Sequence, residues 1–115
     1  MLDVDSGATL AANSTIAATN VAIDGTMNLA NAITITGGAV SVGGTLNINS
    51  GGSVSGLVQG ATDGSGTINI DRNLALGGSL GNVSNSLATI NLLAGRTLTL
   101  GAHNIDATTT TLASG

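Results

Sequence analysis

The sequence predicts an all-β protein, a parallel β-helix (β-solenoid), and three observations predict it. A five-residue phrase, Gly25-Thr26-Met27-Asn28-Leu29, returns as Gly44-Thr45-Leu46-Asn47-Ile48, Gly66-Thr67-Ile68-Asn69-Ile70 and Ala88-Thr89-Ile90-Asn91-Leu92. The copies start 19, 22 and 22 residues apart, an interval that signals stacked repeats. Within each short run the apolar residues alternate with polar ones, as in Met27/Leu29, Ile33/Ile35, Val40/Val42, Leu46/Ile48 and Ile68/Ile70. That period of two belongs to strands, whereas a helix would show 3.6. Finally, the chain has 18 glycines but no proline and no aromatic residue. Glycine serves tight corners, and a narrow solenoid cross-section has no room for rings.

Taken in order, residues 2–5 read as the closing strand of a preceding rung, because Leu2-Asp3-Val4-Asp5 anticipates Val21-Ala22-Ile23-Asp24 and Val40-Ser41-Val42-Gly43. Nineteen residues before Gly25, Ser6-Gly7-Ala8-Thr9-Leu10 reads as a blurred first copy of the phrase. A second strand is expected six residues after the first, from Leu10 to Ile16, Leu29 to Ile35, Ile48 to Val54 and Ile70 to Leu76. In the fifth rung the spacing from Leu92 to Leu100 is eight, as though Ala94-Gly95 were inserted at the corner. A third strand is expected seven residues further on, from Ile16 to Ile23, Ile35 to Val42 and Leu76 to Val83. The segment 56–65 is rich in glycine and reads as a loop.

Three short strands in about 20 residues leave no length for hairpins, so each strand must pair with its equivalent one turn away. The expected solenoid is a single unit over 1–115, with five rungs near 6–24, 25–43, 44–65, 66–87 and 88–115. Right-handed coiling is the default for parallel crossovers. Leu10, Leu29, Ile48, Ile70 and Leu92 are expected to stack inward in one file, and Met27, Leu46, Ile68 and Ile90 in the next. Outward, Thr26, Thr45, Thr67 and Thr89 should form one ladder and Asn28, Asn47, Asn69 and Asn91 another. Stacked asparagine amides can hydrogen-bond along such a row, and these two rows are the expected outward contact surface.

Composition excludes several function classes. Only 7% of residues are charged, the net charge is −4, and the two basic side chains are Arg72 and Arg96. A nucleic-acid surface needs clustered positive charge and stacking rings, so nucleic acid is not an expected partner. No run approaches the ~18 apolar residues that span a bilayer, so this segment is not expected to insert in a membrane. Met1-Leu2-Asp3-Val4-Asp5 lacks the features of a signal peptide.

Candidate chemistry is sparse. Gly77-Gly78-Ser79-Leu80-Gly81 spells the G-x-S-x-G nucleophile elbow, but that motif needs a strand, a sharp turn and a helix, and here it falls at a rung corner. His103 is the one histidine and is expected in a solvated turn. Asp63-Gly64-Ser65-Gly66 lacks the aspartates of a calcium-binding repeat. Arg72 and Arg96 fall at equivalent corners with Asp71 beside the first, which suits a surface ion pair. Asn13-Ser14-Thr15 and Asn82-Val83-Ser84 spell glycosylation sequons, as chance allows in so Asn/Ser/Thr-rich a chain. No enzymatic activity, cofactor or metal is expected.

The stretch from Gly66 to Ala107, GTINIDRNLALGGSLGNVSNSLATINLLAGRTLTLGAHNIDA, resembles the passenger regions of bacterial autotransporter surface antigens, especially the rickettsial type. The earlier rungs are similar to autotransporter and filamentous-haemagglutinin-type adhesins. The resemblance implies a right-handed β-helix at the bacterial surface or outside the cell. Such a helix would be a passenger segment of a long stalk, with a host surface or matrix as partner. It carries over no binding residue. Two rivals stand beside this structural and adhesive expectation: a filament subunit stacking head to tail on copies of itself or on flanking rungs, and an ice-binding solenoid with a threonine face.

Overall fold

The structure, a computed structural model, describes residues 1–113 as a coil of short parallel strands. Strand β1 (Leu2–Val4) precedes a first coil made of β2 (Thr9–Ala12), β3 (Ile16–Ala18) and β4 (Val21–Ile23). The second coil holds β5 (Thr26–Leu29) and β6 (Ala32–Val42), and the third β7 (Thr45–Ile48) and β8 (Ser53–Gly60). The fourth holds β9 (Ser65–Ile70) and β10 (Leu74–Ala75), and the fifth β11 (Leu87–Leu92) and β12 (Leu98–Thr99). Strand β13 (Ala107–Leu112) opens a sixth. Among the described residues no helix is long and apolar enough to cross a membrane.

The coil has three faces. The first is one parallel sheet in the order β2-β5-β7-β9-β11-β13. The second is built from β3, the opening residues of β6 and β8, and the β10–β12 pair. The third stacks β1 on β4, then the closing residues of β6 and β8, and continues as the isolated bridges Val58 to Leu80 and Leu80 to Ile105. Strands β6 and β8 run across the corner between the second and third faces, and their register shifts between Thr34 and Ala39.

Between the faces lies a core of aliphatic side chains. Met27, Leu29, Leu46, Ile68, Ile70 and Ile90 are fully buried from the first face, Ile33 from the second, and Ile23, Val40 and Val42 from the third. Each such side chain contributes roughly 1.5–3 kcal/mol. No polar or charged side chain is buried among the described residues. The corner glycines let the rungs approach: a Cβ on Gly44 would collide with the carbonyl oxygen of Gly25 one rung away.

The expected files hold from Leu29 onward, since Leu29, Ile48, Ile70 and Leu92 pair in register, as do Met27, Leu46, Ile68 and Ile90. The first rung is corrected. Leu10 pairs with Met27 and Ala12 with Leu29, so the first copy is Ala8-Thr9-Leu10-Ala11-Ala12, stepping 17 residues to the next. A shift of two preserves the alternation, and alanine at the asparagine position removes the only marker of frame. The same shift moves the second face, where Ile16 pairs with Ile33 and Ile35 pairs with Ala18.

Three further expectations give way. The segment 56–65 is not a loop: Leu57, Val58, Gln59 and Gly60 pair with Ala39, Val40, Ser41 and Val42, leaving only 61–64 as turn. On the third face Leu80 is buried at 2% exposure while Val83 stands 90% exposed, because the Gly77–Gly81 segment and not the later turn carries the chain along the core. The first face has six strands where five rungs were expected. Its sixth, β13, places Thr110 beside Ile90, so the apolar alternation that marks the other strands is missing there.

Candidate functional site

The first face carries the expected rows. Thr9, Thr26, Thr45, Thr67, Thr89 and Thr109 pair in succession along the sheet, so both end strands extend the threonine ladder. Neighbouring parallel strands lie about 4.8 Å apart, close enough for amide side chains at one register to meet. They do: Asn47 Nδ2 donates to Asn28 Oδ1 at 2.8 Å, Asn69 to Asn47 at 2.8 Å, and Asn91 to Asn69 at 2.9 Å. Every amide in this row points its donor toward the N-terminal end. These asparagines are half-buried, flanked by the corner and by threonine, so the row is a seam of the sheet as much as a surface.

A second row, on the third face, escapes sequence reasoning. Gln59 Nε2 donates to Ser41 Oγ at 3.4 Å, and Asn82 Nδ2 donates to Gln59 Oε1 at 2.9 Å. The three residue types differ, so no repeated letter announces them. Asn82 Oδ1 also accepts from the amides of Ser84 and Asn85, at 3.0 and 2.8 Å, which fixes the turn after Gly81. The side chain of this sequon is therefore already engaged in the fold.

The serine of the G-x-S-x-G spelling is likewise engaged. Ser79 Oγ accepts from the Asn104 amide at 3.1 Å, and Leu80 beside it enters the core. Gly78 packs against the Gly56 carbonyl and Gly81, at φ +81°, against that of Asp106. The motif lies along the third face and leads into a turn, not a helix. His103 sits in a turn closed by its own amide to the Leu100 carbonyl at 3.1 Å, and among the described residues no hydrogen bond joins its ring to Ser79.

The aspartates are scattered over the coil, and no three acidic or histidine side chains group together among the described residues. Asp63 Oδ1 accepts from the Ser86 hydroxyl at 2.7 Å and from the Ser86 amide at 3.0 Å. The hydroxyl first, then the amide, hold this carboxyl below the usual carboxylate range, because both favour the charged form.

Arg72 and Arg96 each stand two residues before the paired leucines Leu74 and Leu98, which places them at equivalent corners as expected. The ion pair forms across rungs: Arg96 Nε lies 3.2 Å from Asp71 Oδ1, with both side chains nearly half exposed. Arg72 instead donates from Nε to the Asn73 carbonyl at 2.9 Å and from Nη1 to the Gly52 carbonyl at 2.6 Å. Comparison of the chain with family models, curated proteins and solved structures returns no match.

Proposed function

We propose that this chain is a structural and adhesive segment of a bacterial cell-surface or secreted β-helix, giving rigid extension and a surface for presentation. The observation that carries the reading is the first face. Its six strands keep one register, and the asparagine row ties four of them together by side chain as well as backbone. Such a sheet resists bending along the coil axis, which is the property a stalk needs. The titratable groups stay dispersed, so the surface offers shape and hydrogen-bonding rows to a partner. The test is binding of the chain, displayed on beads, to mammalian cells and to extracellular-matrix proteins. Saturable binding that is lost when Thr45 and Thr67 are replaced by lysine supports adhesion through the first face. Absence of binding to every surface leaves extension alone as the role.

One observation favours a second reading, a filament subunit. Strands β2 and β13 each pair on one side only among the described residues, so each end of the first sheet presents free N–H and C=O groups. Another copy can continue the sheet there, and because the two ends differ the contact propagates. Sedimentation velocity separates the readings, since a monodisperse monomer at high concentration overturns the filament. The in-register threonines also keep an ice-binding role open to a thermal-hysteresis measurement.

A further inference from the structure

Arg72 and Arg96 are the two basic side chains of a chain whose net charge is −4, and they line one concavity. It measures about 260 Å³ and is bounded by Ser50, Gly51, Asp71, Asn73 and the two arginines, at the corner between the first and second faces. Asp5, Asp24, Asp63 and Asp106 fall at the opposite corner, each just before a strand of the first sheet. A strand of four residues spans ~13 Å. That exceeds the screening length of ~8 Å at physiological salt, so those carboxylates do little to offset the arginines. Locally the corner carries two positive charges against Asp71.

The donors are arranged and partly free. Arg72 is clamped by two backbone carbonyls through Nε and Nη1, which fixes the plane of its guanidinium and leaves Nη2 unused. Arg96 uses Nε alone, on Asp71, and both of its terminal nitrogens are free. Neither the Ser50 hydroxyl nor the Gly51 amide has a protein partner. A guanidinium presents parallel N–H groups that match the oxygens of a carboxylate or sulfate, and a pre-fixed fork loses little entropy on binding. One rung separates the two arginines, so oxygens of one anion can reach both.

We propose that this corner is a binding site for an oxyanion, a carboxylate or sulfate group, carried free or on an acidic polysaccharide. The site stands on its own geometry and does not depend on whether the coil serves as stalk or filament. Asp71 holds Arg96 in place but competes with the ligand for it. Removing that charge while keeping its shape therefore strengthens binding, whereas a merely structural ion pair predicts no gain.

The test follows the Arg72 and Arg96 Nε–Hε signals of the full chain by NMR at low ionic strength. Sodium sulfate, sodium acetate and a sulfated polysaccharide are titrated, with sodium chloride at matched ionic strength as the control. Expected are saturable shifts at both arginines, at least tenfold weaker binding in Arg96→Gln, and several-fold tighter binding in Asp71→Asn. Both variants lie on the exposed corner, and an unchanged amide spectrum elsewhere verifies their fold. A sulfated chain that binds more tightly than free sulfate identifies a polymer-borne group, and equal affinity identifies a free anion. Either supports the site. Shifts that chloride reproduces, or affinity indifferent to both substitutions, overturn it.

Discussion

On the first face, strands from successive coils meet residue for residue through six strands, while on the second face the ladder breaks between β8 and β10. Both faces are lined with aliphatic side chains and edged with glycine, so hydrophobicity does not explain the contrast. Side-chain identity does. The first face repeats threonine and asparagine at fixed places, and a slip of even one residue would carry its whole apolar file outward. The second face has no repeated polar residue. Its fourth and fifth coils pair through only two residues each, and Leu98 is half-buried where Leu46 is fully covered. Lost coil length is absorbed there, and order is concentrated where the pattern is strict.

The largest expected effect comes from charging the two faces. Ile48→Asp buries a carboxylate without a partner at a position 1% exposed, which costs more than about 4 kcal/mol and abolishes folding. Leu98→Asp, at the half-open position, leaves a folded protein about 1–2 kcal/mol less stable. Far-ultraviolet circular dichroism through thermal unfolding checks both, and equal losses would erase the distinction between the faces.

A smaller effect sharpens the role of the asparagine row. Asn47 takes part in two of its hydrogen bonds and Asn28 in one. With each bond contributing ~0.5–1.5 kcal/mol, Asn47→Ala should cost ~1–3 kcal/mol and Asn28→Ala about half as much. Urea denaturation of the two variants measures the ratio, and indistinguishable midpoints would show that the row adds nothing to the backbone ladder.

The smallest effect is electrostatic and lies off both faces. The folded-state pKa of Asp63 is lowered by Ser86, so this pair adds stability above the ordinary carboxylate pKa. That contribution is lost as pH falls through the lowered value. Ser86→Ala should therefore reduce the melting temperature slightly near neutral pH, with the difference from the native sequence closing in strong acid. A gap that widens on acidification would reverse the sign of the linkage.

The repeat phrase made most of this architecture legible in the sequence: the inward files from Leu29, both polar ladders, the two-residue insertion before Leu98, and the equivalence of the arginines. What escaped has a common physical origin. Register in the first coil was ambiguous because Ala8 to Ala12 satisfies the alternation in two frames, and only an asparagine would have decided between them. Leu57 to Gly60 read as a loop because glycine marks both flexible turns and tight corners. Here Gly60 is buried and a Cβ on it would press against the Ser86 carbonyl, so it is a corner. Of the candidate site, the arginine positions were visible, but not that Arg72 is clamped by carbonyls while Arg96 reaches back a rung to Asp71. Side-chain direction at an exposed corner leaves no trace in periodicity.

The steps between paired strands range from 17 residues, Thr9 to Thr26, to 25, Leu80 to Ile105. Every long-range pairing in the coil thus has nearly the same reach along the chain, and the entropy of closing it varies little from rung to rung, since that cost grows only with the logarithm of loop length. No pairing waits on the far end of the polypeptide. A ribosome that has released two successive coils has released everything those coils need in order to associate. Assembly can then advance behind synthesis, each new turn settling on the last as on a template.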